Sequence, residues 1–296
     1  MGKKKAKKRG GAKAAGATPA PAPEPAPAPA LRGFWDGTLA PTGDAPSPRG
    51  GHSATVLGSL LYVFGGADRT PATHGDLHVL DIAGGKPLGW RQVAKPPPDG
   101  GAEWPEPRTD HAAAAAAGLV WVTGGQDPVG RAEAGCDSQY LPFEVWTLQP
   151  GAVAEGGAAA EDGAAAPKWT LRECDGAPPC ARASHGMVLA GDSQTLAVFG
   201  GGGDEGPLAD LHLLDTATCV WSQLLLAPAT APAPREMHAC FCLPASVGGD
   251  EALATAAESG AELVVMGGRG ASGVLGTMET CAFFSPPSKH VWRSAR

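Results

Sequence analysis

Short apolar runs separated by glycine, proline and aspartate recur along this chain from about residue 35 onward. They come in groups of four: a run that starts at a histidine, a continuous apolar run, a run after a polar loop, and a run at a tryptophan. Short runs between turn residues predict antiparallel strands. First strands are predicted at 52–57, 111–117, 185–190 and 238–243, second strands at 60–64, 119–122, 195–199 and 263–266, and third strands at 76–81, 143–148, 210–215 and 277–283.

One of these predictions goes against local propensity. Residues 112–117 are all alanine, the residue that most favours a helix. The segment nevertheless follows His111, at the place where the other groups have their first strand. Helix propensity is a weak preference that tertiary context overrides, so a strand is predicted there as well.

The same polar and glycine positions punctuate all four groups. Successive arginines are 53 to 74 residues apart, a period typical of propellers or solenoids rather than of a single-copy enzyme core. The Arg-x-x-His pairs are Arg49–His52, Arg108–His111, Arg182–His185 and Arg235–His238. The glycine pairs are Gly65–Gly66, Gly124–Gly125, Gly200–Gly201 and Gly267–Gly268, and the closing tryptophans are Trp90, Trp169, Trp221 and Trp292.

The best copies carry LYVFGG at 61–66 with DLHVLD at 76–81, and VFGG at 198–201 with DLHLLD at 210–215. This pattern resembles the kelch repeat family, and the resemblance implies an all-β propeller of four-stranded antiparallel blades over residues 34–296. The repeats are expected at about 49–90, 108–169, 182–221 and 235–292. The second copy lacks the leading aspartate at 143–148, and in the fourth Val264-Val265-Met266 replaces the aromatic before the glycines.

The blade count is less regular. Trp35 lies 14 residues before Arg49, as a closing tryptophan would, and predicts an extra outer strand without the other three. The pattern thus has five fourth strands but only four first, second and third strands, which predicts part of a larger ring. A four-bladed propeller stays open as the alternative. Loop insertions are predicted at 151–167 and 248–260, which are rich in glycine and alanine.

The first 33 residues differ from the rest. A basic cluster precedes an Ala-Pro alternation, and such a segment buries too little apolar surface to fold, so a disordered tail is predicted. The cluster is a candidate nuclear-import signal, with a solubilising tail as the equal alternative. Its residues are Lys3, Lys4, Lys5, Lys7, Lys8 and Arg9.

Charge and cysteine content narrow the function classes. The chain has a net charge of −7 although residues 1–32 hold eight basic residues and one acid, so the propeller itself is acidic. An acidic body is not expected to bind nucleic acid. The seven scattered cysteines and the lack of a long apolar run predict a cytoplasmic or nuclear protein without a membrane span.

The repeated polar residues allow two interpretations. The four histidines could form a metal ring, but recurrence at one place in every repeat favours a structural role. Arg49, Arg108, Arg182 and Arg235 are candidates for partner binding as a basic rim, and the same recurrence favours structure for them too. No catalytic or metal residues and no cofactor are predicted.

The expected function is therefore that of a non-enzymatic scaffold or adaptor, which binds a protein partner through propeller loops. Two alternatives stay open: a metal-assisted enzyme at the propeller mouth, and an incomplete gene product without independent function. The sequence specifies neither the partner nor the oligomeric state.

Overall fold

The structure is a computed structural model, and it describes residues 41–70, 72–83, 88–97, 101–151, 166–191, 194–225, 231–243, 262–282 and 291–295. All of these residues belong to one compact unit, Leu39–Arg296. The predicted tail at 1–33, its basic cluster and the extra strand at Trp35 lie outside the described residues, as does most of both predicted loop insertions.

The described residues form an all-β fold whose strands group into four blades, numbered in chain order. Blade 1 contains β1 (Thr42–Gly43), β2 (Ser53–Leu57), β3 (Leu60–Phe64), β4 (Leu77–Asp81) and β5 (Gly89–Val93). Blade 2 contains β6 (Ala112–Ala116), β7 (Leu119–Thr123), helix α1 (Pro128–Glu133), β8 (Val145–Gln149) and β9 (Lys168–Arg172). Blade 3 contains β10 (Asp175–Gly176), β11 (Gly186–Leu189), β12 (Thr195–Phe199), β13 (Gly202–Gly203), β14 (Gly206–Pro207), β15 (Leu211–Asp215) and β16 (Val220–Leu224). Blade 4 contains β17 (Ala239–Leu243), β18 (Glu262–Met266), β19 (Arg269–Gly270), β20 (Gly273–Val274), β21 (Met278–Ala282) and β22 (Val291–Ala295).

Each blade is an antiparallel meander of four strands in sequence order, as the repeat pattern predicts. Blades 1 and 3 carry a fifth, two-residue strand at the outer edge: β1 pairs in parallel with β5, and β10 with β16. The inner strands pack side by side in the series β2, β6, β11 and β17. This is the four-blade propeller arrangement.

The hydrophobic core lies between successive blades. Three apolar clusters join blade 1 to blade 2, blade 2 to blade 3, and blade 3 to blade 4. The second strand of each blade passes through the middle of the sheet, and in β12 every residue after Thr195 is fully buried. A strand covered on both faces is expected to be apolar throughout, which explains the continuous run of hydrophobic residues.

The first strands begin one residue after each histidine, and the alanines Ala112–Ala116 form β6 against their helical propensity. The edge strands, the short hairpins and α1 were not predicted. α1 has only six residues, starts at Pro128, and is capped by the side chain of Asp127. Among the described residues, no helix is long and apolar enough to cross a bilayer.

Candidate functional site

The repeat arginines lie inside the blades, each bound in the same way. In blade 3, Arg182 donates from Nε to the Cys180 carbonyl at 3.1 Å and from Nη1 to the Gly200 carbonyl at 3.0 Å. Its Nη2 also lies 2.8 Å from a carboxylate oxygen of Asp210. Arg108, Arg182 and Arg235 have no exposed surface, and the side chain of Arg49 is 4% exposed.

Every blade supplies a carboxylate to its arginine, although from different sequence positions. Asp76 and Asp210 occupy the residue before the third strand, and Glu144 takes that place in blade 2. In blade 4 the residue before the strand is Thr277, and Glu279, two positions further, accepts from Arg235 at 3.0 Å. The missing aspartate of the second copy is thus replaced by its neighbour Glu144, a substitution that the sequence comparison of the repeats did not detect.

A second side chain completes this network in three blades. His78 and His212 each face a backbone carbonyl with Nδ1, and their Nε2 atoms lie 2.9 Å from Asp76 and Asp210 respectively. In blade 2, Trp146 donates from Nε1 to Glu144 at 2.8 Å. Burial raises the pKa of Asp76, but hydrogen bonds from Arg49 and His78 outweigh it and lower that pKa to about 2.

Three histidines of the Arg-x-x-His pairs, His111, His185 and His238, lie between blades. Nε2 of His111 is 2.9 Å from Ser53 Oγ, and Nε2 of His185 is 3.0 Å from Thr123 Oγ1, both on the preceding blade. His238 meets Phe199 there, and its ring nitrogens have no hydrogen-bond partner among the described residues. Burial, reinforced by the nearby repeat arginine, lowers the pKa to about 3 for His111 and His185 and to about 4 for His238. These imidazoles are neutral at physiological pH.

The second of the two residues between arginine and histidine joins the blades through backbone atoms. Asp110 N donates to Gly51 O at 2.7 Å, Ser184 N to Asp110 O at 2.7 Å, and Met237 N to Ser184 O at 3.0 Å. All four residues have positive φ, between 55° and 66°. We call this series the backbone ladder. The strand pattern gives no indication of it, because Asp, Ser and Met at these places carry no common side chain.

The glycine pairs, the backbone ladder and the loops after the glycines lie at one edge of the blades, which we call the glycine edge. In each blade a bridge links the residue after the arginine to the residue after the glycines, as in Thr109 with Gln126 and Glu236 with Arg269. Beyond these bridges the loops differ: one contains α1, and two are short hairpins. Ser138 Oγ of blade 2 donates to Asp204 of blade 3 at 2.8 Å, so neighbouring loops also contact each other.

A comparison with protein families matches residues 34–166 and 164–292 to the KLHDC2/KLHL20/DRC7 Kelch-repeats domain. The chain belongs to the kelch-repeat family. The match covers all four kelch blades and agrees with the family resemblance of the repeats. A kelch propeller is generally a protein–protein interaction module and is typically not an enzyme.

Individual relatives agree with this kelch assignment. The chain is 29% identical over 218 residues to the mouse Rab9 effector protein with kelch motifs, covering 68% of this chain and 47% of the relative. It is 29% identical over 199 residues to the Xenopus laevis protein of the same name, covering 62% and 44%. It is 27% identical over 184 residues to acyl-CoA-binding domain-containing protein 5 of Arabidopsis thaliana, covering 62% of this chain and 23% of that protein. The chain therefore spans less than half the length of these relatives.

The structure shows where the predicted arginine and histidine site residues lie in the kelch blades. The repeat arginines are buried inside the blades and paired with carboxylates, and a role in partner binding stays a prediction. The four repeat histidines lie one on each blade, next to first strands that pack side by side, and the charges of His111 and His238 contribute to lowering the pKa of His185. Among the described residues, no group of three or more His, Cys, Asp and Glu side chains is arranged to hold a metal ion.

Tryptophan positions show where the kelch blades meet. Trp169 is 2% exposed and packs on Phe64 of blade 1, with ring centroids 4.9 Å apart, and Trp221 is 2% exposed against Phe143 of blade 2. Trp169 and Trp221 thus cover the blade before their own. Trp292 lies in β22, and its side chain is outside the described residues. Trp104, which the repeat pattern did not single out, also contacts Trp169 and donates to the Gly75 carbonyl at 2.7 Å.

Proposed function

We propose that this kelch propeller is a non-enzymatic scaffold or adaptor that binds a protein partner through the loops of its glycine edge. The proposal rests on one observation: at this edge the same backbone contacts recur in every blade, whereas the loops attached to them differ. The bridges after each arginine and the backbone ladder are these contacts, and the loops beyond them differ in length and structure. Loops of this kind on a rigid scaffold are where recognition is generally located.

The charge of these loops indicates the chemistry of the partner. In the described parts of the four loops and of the Arg-x-x-His segments, excluding the repeat residues themselves, acidic side chains outnumber basic ones by eight to three. The acids are Asp68, Asp110, Asp127, Glu133, Asp137, Asp204, Glu205 and Glu236, and the basic residues are Arg69, Arg131 and Arg269. Complementary charge steers association and excludes wrong partners, so a basic protein surface fits this edge.

The test is affinity capture of the full chain from native extract, with mass spectrometry and metal analysis of the eluate. The captured protein is then titrated in purified form against wild type and a double variant, Glu133→Gln with Glu205→Gln, both exposed on the glycine edge. A matched control, Ser59→Lys with Gln149→Lys, changes net charge equally at exposed positions on the opposite edge.

The proposal predicts that the glycine-edge variant weakens binding by at least about tenfold while the control stays near wild type. Equal loss in both variants would mean that only net charge matters and would reject the glycine edge. A stoichiometric metal in the eluate, lost when His74 or His212 is replaced, would favour the alternative of a metal-assisted enzyme.

A further inference from the structure

The contact between successive blades is the same three times along the chain. A Cβ added at Gly65, Gly124 or Gly200 would lie 2.5, 2.6 or 2.7 Å from the arginine carbonyl of the following blade. It would also lie 2.8 to 3.1 Å from the Cε1 atom of that blade's repeat histidine. In each case the histidine and the arginine backbone of one blade contact the first glycine of the preceding blade.

The two end blades each present one unpaired half of this contact. A Cβ at Gly267, the equivalent glycine of blade 4, would meet only the Leu275 carbonyl, at 3.7 Å. His52, the equivalent histidine of blade 1, is exposed, whereas His111 and His185 are 7% exposed. Trp90 is half-buried, whereas Trp169 and Trp221 are 2% exposed. Among the described residues, no blade covers these two faces.

Each face is covered in part, since Val63 and Leu80 on blade 1 and Val264 on blade 4 are buried, and each leaves apolar side chains exposed beside the covered part. On blade 4, the side of β17 and β18 that faces away from blade 3 exposes 39% of Phe241 and 47% of Met266. On blade 1, the side of β2 that faces away from blade 2 exposes Ala54 and 51% of Val56. Exposed apolar side chains grouped on one sheet face mark an interaction surface more often than scattered ones do.

We propose that blade 1 of one copy docks on blade 4 of a second copy, so that the chain self-associates head to tail. His52 of the first copy takes the place over Gly267 that His238 takes over Gly200 within the chain. Trp90 packs on Met266 and Phe241, since sulfur and aromatic side chains both contact indole rings favourably. The interface is heterologous: two different surfaces meet, and the same pair of surfaces can recur at the other end.

A second copy is the occupant because the two faces are the two halves of an interface that this chain already forms three times internally. The inserting half carries histidine, arginine backbone and tryptophan, and the receiving half carries the glycine pair and a large apolar residue at the end of the second strand. Met266 holds the position of Phe64 and Phe199. A second copy therefore supplies both the register and the complementary surface.

The experiment is sedimentation-velocity ultracentrifugation of the full chain over a dilution series reaching tens of micromolar. Val56→Asp places a charge on the blade 1 face, and Phe241→Asp places one on the blade 4 face. Leu225→Asp is the matched control, because Leu225 is 90% exposed and lies next to β16 of blade 3, away from both faces. Circular dichroism checks that each variant is folded, and Met266→Asp replaces any Phe241 variant that is not.

Wild type and the Leu225 variant are expected to associate in a concentration-dependent manner, and each face variant alone to remain a monomer. Mixing the two face variants should restore a dimer, because each retains the surface that the other lacks. A wild type that stays monomeric throughout overturns the proposal. So does association that both face substitutions leave unchanged, or a mixture that fails to restore the dimer.

Discussion

At the residue scale, each buried repeat arginine is paired with a carboxylate of its own blade. The carboxylate that each repeat arginine needs comes from Asp76, Glu144, Asp210 or Glu279. An unpaired guanidinium in this environment would be costly, because a buried charge needs a partner and hydrogen bonds to compensate for lost hydration. The identity and position of the acid therefore vary, while its contact with arginine is kept in all four blades.

The buried imidazoles make stability depend on pH. The pKa of His185 is lowered to about 3 in the folded protein by burial and by Arg182, while the unfolded chain titrates near its ordinary value. Below about pH 6.5 the unfolded chain binds the proton first, so stability is complete above that pH and falls as the pH drops toward 3. His185→Gln should reduce the slope of unfolding free energy against pH by roughly 1.4 kcal/mol per pH unit between these limits.

Urea denaturation of wild type and variant at several pH values within this window measures the difference. Comparing the two slopes removes the contribution of the carboxylates, which both proteins share. Parallel slopes for the two proteins would show that His185 takes up its proton without unfolding, contrary to the buried and neutral imidazole described above.

At the element scale, the glycine pairs end the second strands because two constraints coincide there. Gly124 has φ of 61°, a left-handed conformation that residues with a Cβ rarely adopt, and it also touches the next blade. Gly267 has nearly the same φ, 68°, but no blade beyond it among the described residues. Comparing Gly124 with Gly267 therefore separates the free-energy cost of backbone strain from the cost of steric contact with the next blade.

Gly124→Ala should therefore destabilise the protein by about 2 kcal/mol or more beyond the effect of Gly267→Ala. The expected cost at Gly267 is that of left-handed alanine alone, roughly 1–2 kcal/mol. Thermal and urea unfolding of both variants at low protein concentration provide the measurement. Equal losses would indicate that strain alone selects glycine and that the blade contact yields without cost.

Sequence pattern predicted the strands well because their period and position repeat. Ala112–Ala116 shows this most clearly, since its local propensity favours the wrong structure and its place in the repeat gives the right one. Features without a repeated sequence pattern were missed: α1 occurs in one blade, the edge strands β1 and β10 are only two residues long, and Glu144 takes the role of Asp76 and Asp210 with a different residue type. The backbone ladder was missed for another reason, because it uses main-chain atoms that leave no trace in residue type.

At the scale of the whole molecule, the first strands of the described residues pack in a series, each against those of its sequence neighbours. Blades 2 and 3 are covered on both sides, and blades 1 and 4 on one side among the described residues. In such arrays stability is close to a sum of repeat and interface contributions, so the ends open more readily than the middle.

Hydrogen–deuterium exchange at low protein concentration should follow this order. Amides of β12 are expected to exchange most slowly, and those of β2 and β17 faster than those of the internal first strands β6 and β11. Peptide-level mass spectrometry resolves these segments. Uniform protection of all four first strands would mean that the blades open as one cooperative unit.

The backbone ladder has a consequence for how this edge can change over evolutionary time or by engineering. The joints between blades are made by amides and carbonyls of Gly51, Asp110, Ser184 and Met237, four residues with unrelated side chains. At Asp110, Ser184 and Met237, which already carry a side chain at positive φ, a replacement changes the exposed surface and keeps the backbone hydrogen bonds; Gly51 is different, because a Cβ there would clash with Thr109 Oγ1. New binding specificity could therefore be acquired by single replacements at this edge, without a change in the hydrophobic core.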